Sequence, residues 1–218
     1  FVDYIALRRL ETLIPNIVHD KRIRCKFRLL DSFGTEAEFN IGLTKCSYCG
    51  FRLNLKQYYT MFPHTPDNSF LGFVIRDERK TVYKNKKNIA VIYAKDPAFL
   101  KRYNCDKYIS IISEYFEVHL TFTRPTTNEK KYYYHGVLNP KKYYELLDSA
   151  KLFVGIGFPY EGPAPLEAIN RGCVYLNPII DPPINRENSE FWKGKPTNRF
   201  LQSQNSYAGN YIAEPYAF

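Results

Sequence analysis

Residues 155–172 read Gly155-Ile156-Gly157-Phe158-Pro159-Tyr160-Glu161-Gly162-Pro163-Ala164-Pro165-Leu166-Glu167-Ala168-Ile169-Asn170-Arg171-Gly172. The apolar run Leu152-Phe153-Val154 leads into this stretch, and Leu166-Glu167-Ala168-Ile169 has helical character until Gly172. The pattern is strand, glycine-proline turn, helix start, which α/β folds use to hold nucleotides. A helix start offers unpaired backbone N–H groups and a partial positive charge, so it suits phosphate. Pro163 or Pro165 fits the first helical turn without loss of a needed donor. On spacing alone, Glu161 and Glu167 read first as two solvated carboxylates of a surface loop.

The rest of the chain supports a parallel α/β reading. Apolar runs at Phe70–Ile75, Ile89–Tyr93, Val118–Phe122, Leu152–Ile156 and Cys173–Leu176 predict strands. Helical spacing falls between them at 97–116, 143–150 and 166–171. Strands that alternate with helices imply βαβ units and a mostly parallel sheet from about residue 68 onward. Upstream, Tyr4–Leu13 has helical spacing, and Cys25–Leu30 predicts a short strand that ends at Asp31, with Ser32-Phe33-Gly34-Thr35 as the loop after it. Residues 40–59 lack a clear period, and the two prolines of Pro63–Pro66 predict a connection between two domains.

Composition narrows the function classes. The chain has 218 residues and a formal net charge of +9, with basic stretches at 76–87, 101–107 and 130–142. No helix-turn-helix, zinc-finger or RNA-binding signature accompanies that charge, so nucleic acid is not an expected partner. No apolar run approaches the ~20 residues of a membrane span, and no signal peptide or Asn-x-Ser/Thr sequon is present. Of the five cysteines, Cys46-x-x-Cys49 predicts a local disulfide or two free thiols, since no second pair completes a zinc site.

Four blocks carry a resemblance. They are Phe158–Ile169, Leu30-Asp31-Ser32-Phe33-Gly34-Thr35-Glu36, Tyr59–Phe73, and Gly194-Lys195-Pro196-Thr197. In order and content they resemble the α-1,6-mannosylglycoprotein 6-β-N-acetylglucosaminyltransferases, the N-acetylglucosaminyltransferase V family, over nearly the whole chain.

The resemblance implies a GT-B glycosyltransferase with two Rossmann-like domains. Residues 1–66 would be the C-terminal part of the acceptor-side domain. Residues 67–218 would be the donor domain, truncated at its C-terminus, so the chain reads as a fragment. It implies inverting transfer of N-acetylglucosamine from UDP-GlcNAc, in β-1,6 linkage, to the α-1,6-mannose arm of an N-glycan. The parent would act on the lumenal side of the Golgi membrane, anchored by a segment absent here. A noncatalytic nucleotide- or sugar-binding α/β protein is the alternative.

Site residues follow from the same blocks. Lys195 matches the donor-site lysine, and a compact cation suits a diphosphate. Glu167 matches the carboxylate that binds the ribose hydroxyls, and two acceptor oxygens suit a vicinal diol. Glu161 is expected at the donor sugar or as an organiser of its loop. His135-Gly136 resembles a His-Gly-Ile-Leu block in which Gly136 admits the diphosphate. Asp31 and Phe33 match acceptor-site positions, and Tyr48 stands near the place of an acceptor-contacting tryptophan. The ordinary readings are an exposed turn lysine for Lys195, a turn-capping aspartate for Asp31 and a plain surface or core histidine for His135. The catalytic base is expected upstream of Phe1, and Glu36 and Glu38 are not its substitutes. No Asp-x-Asp motif occurs and no cofactor is expected, because GT-B enzymes generally stabilise the leaving diphosphate with basic residues and helix starts.

Overall fold

The computed structural model describes residues 1–75, 85–94, 105–122 and 131–218. The chain divides into two compact units. One comprises Phe1–Val74 with Ile184–Phe200, and the other Ile75–Pro183 with Leu201–Phe218. The division anticipated at residues 66 and 67 therefore omits a return: residues 184–200 belong with the first unit. Pro63–Pro66 lies inside that unit and does not connect the two.

The first unit holds a four-stranded parallel sheet of β1 (Val2–Asp3), β2 (Leu29–Asp31), β3 (Tyr58–Thr60) and β4 (Ser69–Phe70), in that order. Helix α1 (Tyr4–Leu13) starts where the Asp3 carboxylate accepts the Ala6 N–H at 2.7 Å. It buries Tyr4 and Leu7 against Leu29, Phe51 and Tyr58. The strand expected over 25–30 shortens to Leu29–Asp31: Leu29 and Leu30 pair with β1 and β3, Asp31 pairs with β3 alone, and Arg24–Lys26 forms a 3₁₀ turn instead. A second helix, α2 (Ala37–Ile41), ends at Gly42, whose φ of 81° suits a glycine C-cap.

The apolar run 70–75 was expected as a buried strand that opens the second sheet. It is neither. Phe70 pairs with Thr60 at the edge of the first sheet, and Phe70 and Val74 are exposed. An edge strand of two residues has no second neighbour to cover it.

The second unit holds a five-stranded, wholly parallel sheet. Its strands are β5 (Lys87–Ile92), β6 (Glu117–Leu120), β7 (Tyr133–Tyr134), β8 (Ala150–Val154) and β9 (Val174–Leu176), ordered β7-β6-β5-β8-β9. Alternate residues of β5 serve two cores. Ile89 and Val91 join Leu146, Leu147, Phe153 and Ala168 on one face. Ala90 and Ile92 join Ile109, Ile112, Val118 and Val154 on the other. Helix α3 (Cys105–Ile112) covers one face, and α4 (Pro140–Ser149) with α5 (Ala164–Asn170) covers the other. Burial on both sides is why these strands read as near-continuous apolar runs. The expected helix over 97–116 is seen at Cys105–Ile112, and residues 97–104 lie outside the described residues. Strand order runs outward from β5 in both directions, so it reverses between β5 and β8.

Candidate functional site

In the first unit, Asp31 ends β2 fully buried. Its Oδ1 accepts the N–H groups of Phe33 at 2.8 Å and Gly34 at 3.1 Å. Its Oδ2 accepts the Thr35 N–H at 2.7 Å and the Thr35 hydroxyl at 2.8 Å. One carboxylate thus organises the whole loop 32–35 and sets the direction of Phe33. Gly34 has a φ of +79°, and a Cβ there would stand 2.4 Å from the Cβ of His64. His64 comes from the proline segment that the sequence suggested as a linker. Burial and the nearby Arg199 charge hold its imidazole down to about 2, against a hydrogen bond with the Ser32 backbone that favours protonation.

Phe33 is the centre of an aromatic cluster. Tyr48 stacks on it at 6.2 Å, and Phe191 and Trp192 meet it edge-on at 6.3 and 6.2 Å. Tyr48 lies within the disulfide Cys46–Cys49, the first of the two alternatives the spacing allowed. Arg8 steadies that small loop. It donates to the Ser47 and Cys49 carbonyls and covers the Phe51 ring at 4.1 Å.

Lys195 joins this cluster. Its Nζ stands 4.4 Å from the Phe33 centroid and 4.6 Å from those of Tyr48 and Phe191. Burial lowers its pKa from the ordinary lysine value. Among the described residues no carboxylate pairs with the ammonium; three π faces hold it instead. A half-buried cation without a counter-ion is able to meet incoming negative charge.

In the second unit, loop 155–163 leaves β8 beside the reversal of strand order. A Cβ at Gly155 would lie 2.3 Å from the Tyr175 hydroxyl and 2.8 Å from Gln204 Oε1; one at Gly157 would lie 2.9 Å from the Ala94 Cβ. Both glycines are there for close approach. Gln204 Nε2 donates to the Gly157 carbonyl at 2.8 Å, the Glu161 N–H donates to the Gln204 carbonyl at 2.8 Å, and Asn205 Nδ2 reaches the Gly162 carbonyl at 3.4 Å. Glu161 is buried and holds a φ of 51°, a left-handed conformation uncommon outside glycine.

Glu167 sits half-buried in the first turn of α5. Its Oε1 accepts the Tyr144 hydroxyl at 2.9 Å. Arg171, one turn on, lies 4.0 Å over the Tyr144 ring and pairs with Asp148 at 2.7 Å. Spacing of four residues on both helices makes this a two-rung brace between α4 and α5. Gly136 has a φ of +65°, with nothing within 4 Å of a Cβ, so its backbone conformation is the reason for glycine there. Next to it, His135 Nε2 meets His119 Nδ1 at 2.8 Å, and His119 Nε2 meets Glu117 at 2.7 Å. Burial and His119 keep the His135 pKa below its usual value.

The structure therefore gathers Asp31, Phe33, Tyr48 and Lys195 in one unit, and carries Glu161, Glu167 and Gly136 on the other. Sequence reasoning missed the residues that hold them: Arg186, Arg199, Gln204, Asn205, Tyr144 and Tyr175. Leu201-Gln202-Ser203-Gln204-Asn205-Ser206 reads as a polar loop, yet Gln204 and Asn205 are buried. Nothing in their local sequence marks them.

Comparison with known proteins follows the same lines. A family model described as glycosyltransferase family 18 matches residues 1–218. The chain is 43% identical over 233 residues to alpha-1,6-mannosylglycoprotein 6-beta-N-acetylglucosaminyltransferase A of Rattus norvegicus, covering 100% of this chain and 31% of that protein. It is 39% identical to the B enzyme of Mus musculus, covering 100% and 29%. The alpha-1,6-mannosylglycoprotein 6-beta-N-acetylglucosaminyltransferase of Caenorhabditis elegans is 37% identical over 219 residues, covering 88% and 32%. The chain thus spans about a third of the length of these relatives.

Proposed function

Because the chain belongs to glycosyltransferase family 18, we propose that it is part of an enzyme that transfers N-acetylglucosamine from UDP-GlcNAc, in β-1,6 linkage, to the α-1,6-mannose arm of N-glycans. The observation that carries this reading is the position of the Gly155–Glu167 segment. It leaves β8 where the strand order reverses, the place where parallel α/β sheets take their ligands. The second unit is then the donor unit of a GT-B pair, and the first contributes to the acceptor side.

In this reading Glu167 binds the ribose hydroxyls through Oε2, with Oε1 held by Tyr144. Glu161 shapes the loop at the donor sugar, and Gly136 leaves room at the diphosphate. Phe33 and Tyr48 offer ring faces to the acceptor sugar. Asp31 serves acceptor recognition by holding the Phe33 loop. Lys195, in the first unit, offers a preorganised cation to negative charge on a substrate. The general base is a glutamate outside residues 1–218, and the site of action is the Golgi lumen.

Calorimetric titration tests the donor half directly. UDP is expected to bind the folded chain equally with and without a chelator. A folded sample that does not bind UDP, or binds it only with metal, contradicts the reading.

A further inference from the structure

Two of the four blocks, 30–36 and 194–197, fasten to each other in the first unit across a separation of about 160 residues. Glu36 is the fastener. Its Oε1 accepts the Thr197 hydroxyl and the Asn198 N–H, both at 2.8 Å, and its Oε2 receives Asn198 Nδ2 at 3.4 Å. Its own N–H donates to the Pro196 carbonyl at 3.0 Å. The strap 194–198 is therefore tied at Pro196, Thr197 and Asn198, just beyond Lys195. Two arginines complete the attachment. Arg186 donates to the Lys195 carbonyl and lies 4.6 Å over the Phe39 ring, and Arg199 donates to the Phe33 carbonyl at 2.9 Å.

The Lys195 backbone is held by its N–H on the Trp192 carbonyl at 2.9 Å and by Arg186 on its own carbonyl. Its side chain touches π faces, which attract a cation but fix its direction weakly. The backbone beneath must set that direction. Glu36 supplies charge-assisted bonds, stronger than neutral ones and directional, to the two residues just beyond Pro196. Thr197 is fully buried, so its hydroxyl has no water to turn to once the carboxylate is gone.

We propose that Glu36 is a positioning residue that acts through the 194–198 strap to hold the Lys195 ammonium over Phe33 and Tyr48. The inference rests on the role given to Lys195 above. It also explains why an acidic residue stands in the 30–36 block although it is not the general base.

The kinetic test is a double-mutant cycle in the full-length protein. Glu36→Ala is expected to lower kcat/KM on the order of tenfold, the loss of a pair of hydrogen bonds to a charged group. Glu36→Gln keeps an acceptor oxygen for Thr197 and Asn198 and should recover activity to within about threefold. Added to Lys195→Ala, Glu36→Ala should cost nothing further, because the residue through which it acts is absent. A full additional tenfold loss in that background overturns the proposal and leaves Glu36 as a general support of the fold.

A second readout is independent of activity. Lysines carrying ¹³C-methyl groups report ring faces by NMR, and the Lys195 signal is assigned by its loss in Lys195→Arg. The Lys195 methyls are expected upfield in the wild type, at the exposed-lysine position in Glu36→Ala, and back upfield in Glu36→Gln. A Lys195 signal unmoved by Glu36→Ala contradicts the proposal. If Lys195→Ala is kinetically silent, the reading of the site fails, and the methyl shift alone decides whether Glu36 positions the lysine.

Discussion

The two loops that carry the site residues solve one problem with different chemistry. Each follows a parallel strand, each contains a glycine in close contact, and each is fastened by a distant segment of its own unit. The loop after β2 is held by charge: Asp31 organises it, Glu36 and Arg199 tie it to residues 194–199, and a lysine stands at its centre. The loop after β8 is held by neutral groups, the amides of Gln204 and Asn205, with the Tyr175 ring packed against Gly155. Ionic fastening is stronger per bond but answers to acid. Amide fastening in a buried pocket is indifferent to pH over the ordinary range. A loop that must present a cation needs anions near its backbone.

Glycine-to-alanine changes should separate the loops most strongly. Gly34→Ala meets the His64 Cβ at 2.4 Å and also forces a side chain into a φ of +79°. It is expected to destabilise the protein by about 3 kcal/mol, a combination of overpacking and backbone strain. Gly155→Ala meets the Tyr175 ring, which is fully buried and hydrogen-bonded to Asn177 at 2.7 Å. Its φ lies outside the left-handed region, so about 2 kcal/mol is expected. Thermal or urea unfolding of both variants checks the order, and equal or reversed losses would break the comparison.

Acid provides a smaller effect. His64 is held down to about 2 in the folded protein, by burial first and Arg199 second, while the unfolded chain titrates near 6.5. Below pH 6.5 the unfolded chain takes up a proton that the folded one does not. The stability due to neutral His64 is thus complete above pH 6.5 and is lost as pH falls, by up to about 1.4 kcal/mol per pH unit. His64→Gln should flatten the slope of stability against pH between 6.5 and 5. An unchanged slope would place the acid sensitivity elsewhere.

Much of this was legible in the sequence. Helix α1 and four of the five strands of the second sheet follow from periodicity, because a strand buried on both faces and a helix buried on one leave distinct patterns in the chain; β7, two residues within a basic stretch, leaves none. Phe70–Ile75 misled because an apolar run records composition and not neighbours; only pairing shows that it ends the first sheet. Pro63–Pro66 misled for a related reason. Prolines mark a turn, but they do not say whether the turn leaves a unit or folds back, as His64 does against Gly34. The site residues were reached by block resemblance. Their fasteners were not, since Glu36 and Thr197 are 161 positions apart and no local signal links them.

The central claim is a division of labour: donor recognition on the Glu161–Glu167 loop and acceptor recognition at Phe33 and Tyr48. The most direct test is steady-state kinetics of Glu167→Gln and Phe33→Ala in the full-length enzyme, with UDP-GlcNAc and the glycan acceptor varied in turn. Glu167→Gln is expected to raise the donor KM on the order of tenfold and leave the acceptor KM unchanged; Phe33→Ala should do the reverse. If Glu167→Gln moves the acceptor KM, or Phe33→Ala the donor KM, or both variants match the wild type, the account is contradicted.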